Sequence, residues 1–380
     1  MSDSGLSNSR VLVTGANGFI GKNLVVRLRE LPNVSVTTFV RGDNLDHLPM
    51  LLAQSDAVVH LAGENRPIDE SGFEQSNTVL TIGLCDAINQ TISSTGRRVP
   101  VVLASSTQAE YENPYGRSKR AAEEAVHALF KRTGNPCRIF RLPGVFGKWC
   151  KPEYNSVVAT FCYNIARDLP IRVNNGATSL RLVYVDDVVE SFLAALVAPV
   201  EGCARAEVEP EYTVSLSQLA AQLQYFRDGR TTLMTDRVGA GFVRALYATY
   251  ISYLPSDSFS YELPQYADSR GVFVEMLKTP DSGQLSYFTA HPSVTRGGHY
   301  HHSKTEKFLV IKGEALFRFR HLLTNEVVEV TACGKTPLVI DTIPGWTHDI
   351  TNVGDDEMIV MLWANENFDR KKPDTILSKV

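Results

Sequence analysis

The hydrophobic pattern of this chain changes character once, near residue 262. Before that point, apolar runs at 11–14, 34–40, 57–62, 99–104 and 137–142 alternate with helical stretches such as 22–30, 73–90 and 119–131. Runs that are apolar on both faces, interleaved with helices, predict a doubly wound parallel sheet of Rossmann-like α/β class. A helix-rich stretch continues from 187 to about 246, and 247–261 reads as a connector. Beyond it come short alternating runs at 272–277, 284–289, 307–311, 315–320, 326–330, 338–341 and 357–363, with turn residues between them. That texture predicts an all-β jelly roll or barrel. The expected organisation is a nucleotide-binding domain over 1–246, a linker over 247–261 and a β domain over 262–380, and 380 residues suit two cores.

Composition narrows the partners. A net charge of −4 offers no basic surface for nucleic acid or an anionic membrane. No run of about 18 apolar residues occurs, so no membrane span is expected. The first ten residues are polar and do not read as a signal peptide. Six cysteines (85, 137, 150, 162, 203 and 333) lie scattered without a CxxC pair. They read as buried reduced thiols of a cytoplasmic protein.

The first strand runs into Thr14-Gly-Ala-Asn-Gly-Phe-Ile-Gly21. Gly15 suits a tight turn, Gly18 lets backbone approach a pyrophosphate at a helix N-terminus, and Gly21 permits close packing of helix on strand. After the second strand comes Arg41, where NAD enzymes place a carboxylate for the ribose 2′-hydroxyl. A guanidinium there suits a 2′-phosphate and hence NADPH; the alternative is an ordinary surface arginine. A third strand ends at Gly63, and Ser105-Ser-Thr107 follows the fourth. Tyr115 and Lys119 lie four apart, on one face of a helix. The ammonium can lower the phenol pKa while the phenol exchanges a proton with a carbonyl as hydride moves, with Thr107 hydrogen-bonded to the reacting oxygen.

In this order, TGxxGxxG, DxVxHLAG, SST and YxxxK resemble the extended short-chain dehydrogenase/reductase superfamily over roughly 10–240. The resemblance implies a cofactor site built from Gly15, Asn17, Gly18, Phe19, Ile20, Gly21, Arg41, Leu61, Ala62, Gly63, Tyr115 and Lys119. It also implies that Arg181, in Arg181-Leu-Val-Tyr-Val-Asp-Asp187, contacts a substrate pyrophosphate, and so a nucleotide sugar. Gly144 departs from the pattern, since many relatives carry Asn there.

Six of the nine histidines fall within 291–348. His299 and His301 are two apart, so on a strand they share a face. Glu306 follows, and His348 comes after a Pro344-Gly345 bend. This spacing matches the two cupin motifs. Three neutral imidazoles and a carboxylate suit zinc, with iron, manganese or nickel as alternatives. A metal-free site, with these groups as plain acids and bases, stays open. His302 and Lys307 are surface residues unless they face the cavity, where they would be catalytic candidates. Asp268-Ser-Arg270-Gly-Val-Phe-Val-Glu275 resembles the opening of the dTDP-4-dehydrorhamnose 3,5-epimerase cupins, which implies that Arg270 and Glu275 bind nucleotide sugar. For Arg270 a structural salt bridge is the alternative.

The two halves together resemble one narrow family, the bifunctional CapF enzymes of capsule and O-antigen synthesis. Leu61-Ala-Gly-Glu-Asn-Arg-Pro67 and Phe146-Gly-Lys-Trp-Cys-Lys-Pro152 look like that family in particular. The resemblance implies a cytoplasmic homodimer acting on a UDP-4-keto-6-deoxy-HexNAc. Its cupin would epimerise carbon 3, and its reductase would use NADPH on the 4-ketone. Two other readings stand beside it: a single-activity reductase whose cupin is structural or dimerising, and a non-catalytic sensor of NADPH or nucleotide sugar.

Overall fold

Val11, Leu12, Val13 and Thr14 are all buried, as a strand must be when helices cover both faces of its sheet. They belong to β1 (Arg10–Thr14) of the computed structural model, which describes residues 6, 8–198, 201–369, 371 and 373–380. The following strands are β2 (Ser35–Phe39), β3 (Ala57–His60), β4 (Val101–Ser106), β5 (Cys137–Leu142), β6 (Gly144–Phe146), β7 (Ser179–Tyr184), β8 (Cys203–Ala206) and β9 (Glu211–Ser215). A parallel sheet runs β2-β1-β3-β4-β5-β8, and β6, β7 and β9 form a small separate sheet. The 187–246 stretch is therefore not purely helical. β8 and β9 are four and five residues long and mostly not buried, too short for their period to register.

The two faces of β1 part cleanly. Val11 and Val13 pack with Leu24, Leu28, Val188 and Phe192 from the helices Phe19–Glu30 and Val185–Val197. Leu12 packs with Leu48, Leu84, Ile88, Val126 and Leu129 on the other face. Each such side chain contributes about 1.5–3 kcal/mol of burial. The chain enters at β1, steps to β2, then crosses to β3. That reversal opens a cleft beyond the carboxyl ends of β1 and β3, where such sheets bind ligands.

Glu123 ties this sheet to the helix Pro114–Thr133. Its buried carboxylate takes Arg141 Nη2 at 2.7 Å, Arg205 at 3.4 Å and the Ser105 hydroxyl. Burial opposes its ionisation, but these donors hold its pKa below the ordinary value. Glu123→Ala is expected to destabilise the protein by about 3 kcal/mol, because the largely buried Arg141 keeps only the exposed Glu110 as a partner; urea denaturation measures it.

The described chain divides into two compact units, Met1–Leu223 with Ala245–Leu254 and Gln224–Arg244 with Pro255–Val380. The expected connector begins inside the helix Gly241–Ile251, where Thr249 and Tyr250 are buried, so 247–251 is not linker. The second unit carries β10 (Gln265–Asp268), β11 (Gly271–Lys278), β12 (Gln284–Ala290), β13 (Thr295–Tyr300), β14 (Glu306–Lys312), β15 (Glu314–His321), β16 (Val327–Cys333), β17 (Val339–Asp341), β18 (Trp346–Asn352), β19 (Met358–Ala364) and β20 (Ile376–Leu377). They form antiparallel sheets β10-β11-β12-β19-β14-β17 and β16-β15-β18-β13-β20 around Phe288, Phe308, Phe317, Ile350 and Val360. Among the described residues no helix is long and apolar enough to cross a membrane. All six cysteines are free, but only Cys85, Cys137 and Cys162 are buried.

Candidate active site and metal centre

The turn after β1 shows why its glycines are needed. Gly15 has φ +71°, and a Cβ there would sit 2.6 Å from the backbone nitrogen of Ala62. A Cβ on Gly21 would lie 2.3 Å from the Gly15 carbonyl. Gly18 caps the helix Phe19–Glu30, and no side chain bonds the cap. The positive helix end is thus open to an anion, with Asn17, Phe19 and Ile20 in the same turn. Leu61, Ala62 and Gly63 follow β3 and form the opposite wall of the cleft.

Behind this wall runs a buried hydrogen-bonded chain. His60 Nδ1 meets the Thr14 hydroxyl at 2.6 Å and its Nε2 meets Thr81 at 2.9 Å. Burial pushes the His60 pKa down to about 3, so the ring is a neutral strut. The Asn77 amide donates to the Glu64 carbonyl at 2.9 Å and to Ser118 at 3.0 Å, and its oxygen accepts Glu64 N–H. The cofactor wall is thereby fastened to the helix that carries Tyr115 and Lys119.

That helix starts at Pro114, with Asn113 accepting Gly116 N–H at 2.7 Å. Lys119 is buried, donates to the Ala104 carbonyl at 2.8 Å, and lies beside Gly63. Burial lowers its pKa to about 8. Burial raises that of Tyr115, against a hydrogen bond from Ser106. The phenol therefore stays protonated at neutral pH, as a proton donor must. Ser106, not singled out from sequence, is the hydroxyl set against the phenol. Thr107 faces an adjoining cavity of about 760 Å³ that also holds Arg141, Arg181, Arg205 and Glu211. Arg181 is paired in bidentate fashion with Glu211, at 2.6 and 2.8 Å. Arg41 is largely exposed, 3.3 Å from Glu64 at the mouth of the cleft.

In the second unit the four expected ligands converge. Ligand atoms of His299, His301, Glu306 and His348 all lie within 4.8 Å of one another. His299 and His348 come from neighbouring strands of one sheet, β13 and β18, and Glu306 from β14 of the other. A bulge at Gly297, with Gly297 and Gly298 at φ +96° and +75°, sets His299 opposite His348. Both ring nitrogens of His348 are buried without a hydrogen-bond partner. Burial opposes the charge on Glu306, yet His301, His348 and Lys304 hold its carboxylate ionised. Burial likewise lowers the His299 pKa to about 4, keeping a neutral imidazole. A carboxylate among three converging imidazoles, with His348 Nδ1 buried and unpartnered, fits a divalent cation.

Other expected residues fall elsewhere. Lys307 alternates to the outer face of β14, where it pairs with Asp341, and His302 is exposed beside Tyr300. Strand alternation removes Lys307 from the interior that Glu306 faces, so neither residue is placed for acid–base work there. Arg270 pairs with Asp268 in the β10–β11 turn at 2.6 Å, which is the salt-bridge alternative. Glu275 lies in register with buried Ser286, Leu362 and Phe308, hence on the interior face, but pairs with Lys278 at 2.9 Å. Sequence reasoning missed Arg296. Its guanidinium is largely buried 5.3 Å over the Phe288 ring, with Nε and Nη2 lacking hydrogen-bond partners. It also missed Lys304, 2.7 Å from Glu306.

Comparison with known proteins matches both halves. Residues 11–208 match the NAD dependent epimerase/dehydratase family, and 266–376 the polysaccharide biosynthesis C-terminal domain. A UDP-2-acetamido-2,6-beta-L-arabino-hexul-4-ose reductase of Pseudomonas aeruginosa is 54% identical over 98% of this chain and 99% of its own. The capsular polysaccharide assembling protein CapF of Staphylococcus aureus superposes with a TM-score of 0.89 at 39% identity, over 97% of this chain and 100% of that one. A CapF structure with the inhibitor 3-isopropenyl-tropolone gives 0.84 at 35%, over 98% and 100%.

Proposed function

We propose, from the premise that this chain belongs to the CapF family of UDP-2-acetamido-2,6-β-L-arabino-hexul-4-ose reductases, that it carries two successive reactions on one nucleotide sugar. The β unit epimerises carbon 3 of UDP-2-acetamido-2,6-dideoxy-β-L-arabino-hexul-4-ose. The parallel-sheet unit then reduces the 4-ketone to UDP-2-acetamido-2,6-dideoxy-L-talose, on the route toward UDP-N-acetyl-L-fucosamine. The observation that carries this reading is the four-ligand cluster in the β unit, together with Tyr115 and Lys119 four residues apart on a helix of the other unit.

In the reductase half, Tyr115 holds the proton that the ketone oxygen receives. Ser106 supplies the hydroxyl set against the phenol, Thr107 offers a second from the adjoining cavity, and Lys119 adds a buried positive charge to the same helix. NADPH, held on the Gly15–Gly21 turn, would supply the hydride. Arg181 would meet the substrate diphosphate by exchanging its bond to Glu211. In the epimerase half, a hydrogen alpha to a ketone is acidic because the enolate places its charge on oxygen. His299, His301, Glu306 and His348 would hold a zinc-like ion, whose charge would stabilise such an oxyanion. Glu275, Lys278 and Arg296 are the charged groups offered to a sugar by the interior. Epimerisation alone is reversible, and reduction removes the ketone that permits it.

One observation favours a second reading. Four protein ligands can close a tetrahedral site, which is the pattern of a structural ion; the β unit would then only support a single-activity reductase. NMR of products from the UDP-4-keto sugar in deuterated water, with and without NADPH, separates the two. Deuterium at carbon 3 without NADPH supports the bifunctional reading, and its absence from a product reduced at carbon 4 overturns it.

Cofactor choice rests on Arg41. Arg41→Asp is expected to lower the NADPH-to-NADH preference by about 10–100-fold, the worth of a charge-assisted bond to a 2′-phosphate. An unchanged ratio in binding titrations would show that Arg41 is only a surface residue.

A further inference from the structure

We propose that Asp374 is a positioning residue for the four-ligand cluster, and that the C-terminal strap sets the tautomer and aim of His301; this rests on the reading that the cluster holds a metal ion. The loop between His301 and Glu306 has three consecutive backbone N–H groups turned onto one carboxylate. Asp374 accepts from His302 at 2.9 Å, Ser303 at 2.7 Å and Lys304 at 2.8 Å, and from the Ser303 hydroxyl at 3.1 Å. The backbone carbonyl of the same residue lies against His301 Nδ1. A carbonyl can only accept, so Nδ1 carries the proton, which leaves Nε2, 3.3 Å from Glu306, to offer its lone pair to a cation bound between them.

The strap is fastened independently of this contact. Leu377 pairs with His299 and Ile376 with Tyr300, so β20 also backs the second histidine. Ser378 N–H donates to the Gly298 carbonyl at 2.9 Å, and the Ser378 carbonyl accepts the Thr347 hydroxyl at 2.6 Å. Glu306 is held separately, its N–H on the Thr342 hydroxyl at 2.8 Å. Loss of the Asp374 carboxylate therefore frees the His301 loop while the barrel and the other ligands keep their supports.

The test uses the full chain, stripped of metal and titrated with zinc against a chromophoric chelator. Wild type is expected to bind one zinc per chain. Asp374→Ala is expected to bind it about 10–100-fold more weakly, the usual cost of losing a partner behind a metal ligand. The cobalt-substituted variant is expected to show an altered d–d absorption spectrum, with unchanged melting of the metal-free protein and unchanged reduction of a 4-keto sugar that already carries the inverted carbon 3. A wild-type zinc affinity and cobalt spectrum in Asp374→Ala would overturn the proposal while leaving the metal reading intact. Failure of the wild type itself to bind zinc would overturn both. If Asp374→Ala folds poorly, the isosteric Asp374→Asn is measured by the same criteria.

Discussion

Replacing Tyr115 by Phe is expected to lower ketone reduction by roughly 10²–10⁴-fold, the range for removal of a positioned general acid. The phenol sits four residues before Lys119 on a helix whose start is fixed by Pro114 and Asn113. Lys119, buried one helical turn on, donates to the Ala104 carbonyl from beside Gly63. Substrate exchange of deuterium at carbon 3 should persist in Tyr115→Phe, since that chemistry belongs to the other unit. If exchange vanished together with reduction, the two activities would share one site. The pH profile offers a second check. The Lys119 pKa is lowered to about 8, so the ammonium is present below that value and lost above it. Reduction by the wild type should therefore fall as pH rises through about 8. A profile flat to pH 10 would remove Lys119 from the electrostatics of the step.

What could be read in advance follows from what each segment must do. β1, β3, β4 and β5 are largely buried on both faces, so their apolar runs were visible, whereas β2 at the sheet edge is mostly exposed; the glycine turn declared itself because Gly15 and Gly21 cannot carry a Cβ where they sit. β13 and β18 gave no hydrophobic run. β13 spends its inward positions on Arg296 and His299, and β18 on His348 beside Ile350. There the metal ligands were legible from spacing and the strands were not, because polar side chains replace the apolar alternation. Lys307 shows the opposite failure. It adjoins a ligand in sequence, and the period of two turns it to solvent. Asp374 and Arg296 escaped because nothing local marks them. One reaches the loop from about 70 residues away in the chain, and the other is turned inward only by the bulge after Gly297, buried over Phe288 with Asp268 3.9 Å away.

His348→Ala is expected to abolish metal binding and to lower carbon-3 exchange by on the order of 10²–10³-fold, the cost of losing stabilisation of a developing oxyanion. The argument starts from the His348 side chain. A buried nitrogen without a partner costs about 1–3 kcal/mol; His348 Nδ1 has none, and Nε2 has only the Glu306 carboxylate, 3.5 Å away. A histidine serving only the packing of Phe308 and Phe319 around it would be better replaced by an apolar residue. Its cost is recovered if a cation takes the lone pair that it offers toward His299, His301 and Glu306. Elemental analysis of protein purified without chelator should therefore find one zinc-like ion per wild-type chain and none in His348→Ala. Reduction of a ketone that already carries the inverted carbon 3 should survive the substitution. If the variant's β unit instead melts cooperatively at a much lower temperature, the ion is structural and the second reading of this unit holds. If wild-type protein contains no metal yet exchanges carbon 3, the imidazoles and Glu306 are acting as acids and bases directly. The proton then moves between the sugar and these side chains without a Lewis acid.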